Sequence, residues 1–72
     1  MVKKTTVHSF TVEYEEEAKE AIHFLQDELD YEEAKVFFDQ AKLKRSAEFE
    51  DKYRHNYTLT YANGIYVLTR RV

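Results

Sequence analysis

The chain has no cysteine, no proline and a single glycine, Gly64. Without cysteine neither a disulfide framework nor a thiolate zinc site can form, and a small secreted scaffold without such staples is unusual, so the composition points to a cytosolic protein. Scarce glycine and proline, beside 43% hydrophobic and 15% aromatic residues, exclude a disordered tail. A long apolar run is also missing. The N-terminal stretch MVKKTTVHSF carries two lysines with no hydrophobic segment behind them, so neither a signal peptide nor a membrane anchor is expected. In that setting the glycosylation sequon Asn56-Tyr57-Thr58 is read as chance.

Catalytic signatures are equally scarce. The sequence holds no HExxH, glycine-rich phosphate loop or GxSxG, its three histidines (His8, His23, His55) stand in unrelated contexts, and Ser9 and Ser46 have no local base. Glu16/Glu20 and Glu28/Glu32 lie one helical turn apart, but carboxylates in that arrangement are ordinarily solvated, and Glu15-Lys19 and Lys35-Asp39 have the spacing of helix ion pairs. The expectation is a protein that is not an enzyme and that needs no metal or other cofactor. No small-molecule substrate is evident.

What is present suits one small domain over residues 1–72. At this size folding removes roughly 60% of the unfolded chain's surface from water, and a single core supplies about 3 to 5 kcal/mol. The net charge of -3 is unevenly spread: residues 13–41 hold eleven acids against two lysines, and residues 42–72 seven bases against three acids.

Thr5 to Val12 reads as one strand, with Phe10, Val12 and Tyr14 on its inner side and Thr5, Val7, Ser9 and Thr11 on the other. From Glu15 the period becomes helical, and Tyr14, Ala18, Ala21, Ile22, Leu25 and Leu29 form one stripe. Asp30 and Glu33 match a capping box, which starts a second helix running to about Leu43 with Tyr31, Ala34, Phe37 or Phe38, and Ala41 inward. Residues 44–52 could extend that helix, but the alternation of Ala47 and Phe49 with Glu48 and Glu50 favours a strand pairing Phe49 with Leu59 around a turn at Tyr53-Arg54-His55. Asn63-Gly64 is a strong type I′ hairpin signal. It sets Tyr61 opposite Tyr66, Leu59 opposite Leu68 and Tyr57 opposite Arg70. The predicted fold is α+β, in the order β-α-α-β-β-β, with two helices on one face of an antiparallel sheet of three or four strands.

Two surfaces emerge as candidates. One is the uncovered sheet face, where Val7, Ile65 and Val67 form an apolar centre among Thr58, Thr60 and Thr69. The other is a basic cluster at one end of the sheet, made by Lys52, Arg54, His55, Arg70 and Arg71, which suits phosphates. The sheet tyrosines are expected inside, with their hydroxyls at the rim, and the glycine and phenylalanine pattern of a ribonucleoprotein sheet motif is missing. Val36 and Leu43 fall on the outer side of the second helix, and Phe24 at the edge of the first stripe. The reading is a small intracellular binding or adaptor module, of the kind encoded by short bacterial or phage reading frames, acting through a protein partner or self-association and not on a membrane. The second reading is a nucleic-acid-associated protein that uses the basic cluster.

Overall fold

A computed structural model describes residues 2–71 of the chain. Strands β1 (Lys3–Val7) and β2 (Phe10–Tyr14) come first; a helical segment and α2 (Tyr31–Lys44) follow, and then β3 (Ser46–Glu50), β4 (Asn56–Ala62) and β5 (Ile65–Arg71). The helical segment is irregular: a 3₁₀ turn (Glu16–Ala18), helix α1 (Lys19–His23) and a π turn (Phe24–Glu28) run together. The five strands form one sheet in the order β1-β2-β5-β4-β3. Both helices cover one face of it, and the shortest molecular dimension of 20 Å is that of one helix layer on one sheet.

The α+β class and the two helices are as the sequence predicts, and the sheet is larger than predicted. The expected strand from Thr5 to Val12 is two strands, because His8 and Ser9 take left-handed backbone angles (φ 48° and 76°) and reverse the chain in two residues. Positive φ at both central positions is the type I′ geometry whose twist matches paired strands. Here it is adopted without glycine, and the His8 ring compensates. Its Nε2–H donates to the carbonyls of Leu25 (2.9 Å) and Leu29 (3.2 Å), fastening the hairpin tip to the end of the first helical segment.

This turn reverses the placement of Val7. In a continuous strand Val7 and Phe10 would face opposite ways, but flanking a two-residue turn they pair directly and share a face. Val7 is therefore fully buried in the core, not on the open side with Ile65 and Val67. Thr5, paired with the buried Val12, also turns inward, and Thr6 and Thr11 take the outer face. A second correction concerns direction: β2 and β5 run parallel, with Val12 beside Tyr66 and Tyr14 beside Leu68, so the sheet is mixed and not wholly antiparallel. A third is a matter of register. Phe49 pairs with Tyr57, and Ala47 with Leu59; this slip of two residues leaves every side chain on its predicted face.

Other local signals hold. The Asp30 carboxylate accepts the Glu33 N–H (2.9 Å) and the Glu33 side chain accepts the Asp30 N–H (3.1 Å), completing the capping box that starts α2. Ala34, Phe38 and Ala41 are its buried stripe, whereas Tyr31 is 45% exposed and lies stacked over Phe10 at 6.1 Å. Phe38 is the centre of the layer contact, stacked on Phe10 at 4.2 Å and edge-on to Tyr66 at 4.9 Å. A second aromatic group forms around Phe49, which meets Phe24, Phe37 and Tyr57. Together these rings join both helical segments to the sheet.

The His8-Ser9 turn generates a stability prediction. A non-glycine residue in the left-handed region costs roughly 1 to 2 kcal/mol, partly offset in a glycine variant by the entropy of its unfolded chain. Ser9→Gly is expected to raise stability by about 0.5 to 1 kcal/mol, read as a higher urea midpoint with an unchanged slope. A lower midpoint would show that the serine side chain contributes more than its backbone strain costs.

Candidate functional site

The open face of the sheet is assembled by strand pairing. The partners Lys4 with Glu13, Glu13 with Val67, Val67 with Thr60 and Thr60 with Ser46 define one row across all five strands. Val67 is at its centre. Beside it lie Ile65 paired with Ala62 on one side, and Thr69 paired with Thr58 on the other. Thus Thr58, Thr60, Ile65, Val67 and Thr69 do share one uncovered face, and Val7 alone of the predicted set is withdrawn from it.

Two of these threonines turn their hydroxyls to the backbone. Thr60 Oγ1 donates to the Val67 carbonyl and Thr69 Oγ1 to the Thr58 carbonyl, each at 3.4 Å. A hydroxyl so engaged leaves its methyl as the group turned outward. The centre of the face is consequently more apolar than its composition suggests. Charge on the face is carried by Lys4 on β1, Glu48 and Glu50 on β3, Arg71 at the end of β5, and Glu13 on β2, which is paired with Lys4 on one side and with Val67 on the other.

The predicted basic cluster is distributed differently. Lys52, Arg54 and His55 occupy the connection between β3 and β4, but Arg70 and Arg71 point to opposite faces because consecutive strand residues alternate. Arg70 shares the covered side with Tyr57, and Arg71 shares the open side with Asn56. Three of the five face carboxylates: Lys52 Nζ lies 3.4 Å from Glu28, Arg71 lies 3.6 Å from Glu48, and His55 Nδ1 lies 3.2 Å from Asp51 and 3.6 Å from Glu20. Among the described residues Arg54 and Arg70 form no ion pair.

At the centre of this end is a residue absent from both predicted sets. Asp51 is 6% exposed, the one buried charged side chain among the described residues. Its Oδ1 accepts the N–H groups of Tyr53 and His55, both at 2.9 Å, and its Oδ2 accepts the His55 Nδ1–H at 3.2 Å and the Tyr57 hydroxyl at 3.1 Å. Four donors saturate the lone pairs of a carboxylate. The backbone closes the same loop, with the Asp51 N–H bonded to the His55 carbonyl and the Arg54 N–H to the Asp51 carbonyl, while Arg54 takes φ 67°. In the sequence this arrangement shows only as an aspartate four residues before a histidine and six before a tyrosine, between two strands.

Glu20, Asp51 and His55 offer ligand atoms within 4.8 Å of one another, the spacing at which a divalent ion could be shared. The Asp51 oxygens are already committed to donors of the loop, however, and the His55 nitrogen facing them supplies one of those donors. The trio is accounted for as a hydrogen-bonded lock. Its electrostatics agree: burial pushes the Asp51 carboxyl up, but the His55 and Tyr53 N–H groups, the Tyr57 hydroxyl and the nearby imidazole outweigh that, and the net displacement is downward. Burial first, and then the bond to Asp51, push the Tyr57 hydroxyl up to about 12. Elsewhere, a concavity of about 220 Å³ lies between Lys42, Arg45, Tyr61, Ala62 and Asn63, below the size of ordinary small-molecule sites. Among the described residues no helix is long and apolar enough to cross a membrane.

The Asp51 lock predicts an acid-side signature. A carboxyl held below its unfolded value of 3.8 contributes stability that is present above that pH and lost as pH falls through the still lower folded value. Asp51→Asn, which keeps an acceptor for the loop N–H groups but loses the charge, should be less stable than the wild type at neutral pH, with the gap narrowing below about pH 4. Asp51→Ala should cost about 2 to 3 kcal/mol by stranding buried donors. Urea midpoints measured from neutral pH downward test both; a gap that stays constant into acid would remove the carboxylate from the argument.

Comparison with protein-family models, curated proteins and solved structures finds no match, so the chemistry of these surfaces is what bears on function.

Proposed function

We propose that the protein is a small intracellular binding module that acts through protein contact on the open face of its sheet, and not through catalysis. The observation that carries this reading is the face itself: a five-stranded sheet covered by helices on one side only, with Ile65 and Val67 in the middle of the other. Threonine methyls extend the apolar centre, and most of the charges on the face stand at its margins. Contact faces combine such a centre with a polar rim. A bare sheet face supplies this without moving parts.

Nucleic-acid binding through Lys52, Arg54, His55, Arg70 and Arg71 is less well supported by the geometry. Arg70 and Arg71 diverge, and Glu20, Glu28, Glu48 and Asp51 stand among the bases. Phosphate binding gains from uncompensated positive charge concentrated on one surface.

Val67→Glu separates the two readings. It places a charge at the centre of the face without touching the core, so far-UV circular dichroism and the urea midpoint should be retained while protein association is lost. Arg70→Glu combined with Arg71→Glu should leave association intact. If the double variant abolished binding that Val67→Glu preserved, and if wild-type binding to a short single-stranded oligonucleotide fell steeply with salt, the basic cluster would be the functional surface instead.

A further inference from the structure

At the end of β3 remote from the Asp51 loop, the fold brings two cations to one concavity. Ser46 pairs with Thr60, so Arg45, one residue earlier, stands at the level of Tyr61, one residue later. Lys42 reaches the same place from the last turn of α2, with its Nζ 5.8 Å from the centre of the Tyr61 ring. The Asn63-Gly64 turn closes the far side, and Lys42, Arg45, Tyr61, Ala62 and Asn63 line the resulting space of about 220 Å³.

The polar groups around this space lack partners within the chain. Among the described residues neither Lys42 nor Arg45 forms an ion pair, and neither the Tyr61 hydroxyl nor the Asn63 amide takes part in a side-chain hydrogen bond. No carboxylate stands in the lining. Asp39, one helical turn before Lys42, is held by Lys35 at 3.3 Å. At the other end of the sheet, by contrast, Lys52, His55 and Arg71 each face an acid.

We infer that this concavity is a binding site for a phosphoryl group, either free or on a monoester. Its two cations match the charge of about -1.5 to -2 that such a group carries near neutral pH. The Arg45 guanidinium offers a fork suited to two phosphoryl oxygens and Lys42 a point charge, while the Tyr61 hydroxyl and the Asn63 amide are further donors. The space is small for a drug-sized molecule and suits a compact oxyanion. One force opposes the anion, because α2 ends here and its last carbonyls carry roughly half a negative charge. Two full positive charges exceed it. The site is open to water, so binding is weak and screened by salt, with half-saturation on the order of 1 mM at low ionic strength.

Isotope-labelled protein followed by NMR tests the assignment, with inorganic phosphate and phenyl phosphate titrated separately at matched ionic strength. Saturable amide shifts should centre on residues 42–45 and 61–64 and should require several-fold more ligand in about 0.5 M potassium chloride. Lys42→Gln combined with Arg45→Gln should weaken both titrations about tenfold. Arg54→Gln combined with Arg70→Gln, which removes the unpaired bases of the other end, should leave them unchanged. If the first pair lowers the urea midpoint, Arg45→Lys takes its place: it keeps the charge and loses the fork, and binding should still weaken. Tighter binding of phenyl phosphate identifies the ligand as a monoester, and equal affinity identifies it as free phosphate; both support the site. Shifts that chloride alone reproduces, that do not saturate, or that survive loss of Lys42 and Arg45 charge overturn it, as does equal sensitivity to the two double variants, the mark of unspecific attraction to any exposed base.

Discussion

Asp51 holds an ionised carboxylate where almost no water reaches it, and the cost of that placement is offset only because four donors converge on its two oxygens. Each donor belongs to the connection between β3 and β4 or to the first turn-facing residue of β4's inner side. The carboxylate therefore fixes the loop length and, through it, the register in which Phe49 meets Tyr57. In a sheet with one covered face a slip of one residue would exchange that strand's inner and outer side chains. The identity of the open face at β3 and β4, and so the position of Glu48 at its margin, depends on a polar contact buried on the other side of the sheet.

The aromatic core is built on the same constraint. Phe49 is brought against Phe24, Phe37 and Tyr57 by the β3 register, while Phe10 is brought against Phe38 and Tyr66 by the His8-Ser9 hairpin. These two groups join the helical layer to opposite halves of the sheet. A domain this small has little stability to lose, and the two polar fasteners, Asp51 and His8, each position one of the two aromatic groups. Both act on the backbone: Asp51 binds N–H groups and His8 binds carbonyls. Loops that would otherwise fray are thereby made part of the packed unit.

Much of this is legible in the sequence, and the division has a physical basis. Local signals carry local structure: Asp30 with Glu33 starts α2, Asn63-Gly64 sets the entire pairing of β4 with β5, and the alternation around Phe49 marks β3 despite its helix-forming neighbours. The first hairpin was not legible because His8 and Ser9 lack the glycine or asparagine that usually signals left-handed turns; the ring bonds that hold His8 come from residues 17 and 21 positions away. Missing that turn misassigned Val7, because the face a residue occupies is counted from the turn. The parallel pairing of β2 with β5 is a contact between distant segments and leaves no local mark. For the site, five of the six residues expected on the open face lie there, Val7 being the exception, while the basic residues can be placed near one end but not sorted onto opposite sheet faces until the pairing of Arg70 with Tyr57 is fixed in space.

The edges and the open face of the sheet differ in chemistry. Both outer strands are short, five residues each, and both carry charge: Lys3 and Lys4 on β1, Glu48 and Glu50 on β3. Short charged edges discourage strand addition by other chains. On that face threonine serves two conditions at once. Its hydroxyl satisfies itself on a neighbouring carbonyl, as Thr60 and Thr69 show, and its methyl joins Val67 and Ile65 without exposing a continuous aliphatic patch. A sheet face built this way keeps Ile65 and Val67 together among satisfied hydroxyls.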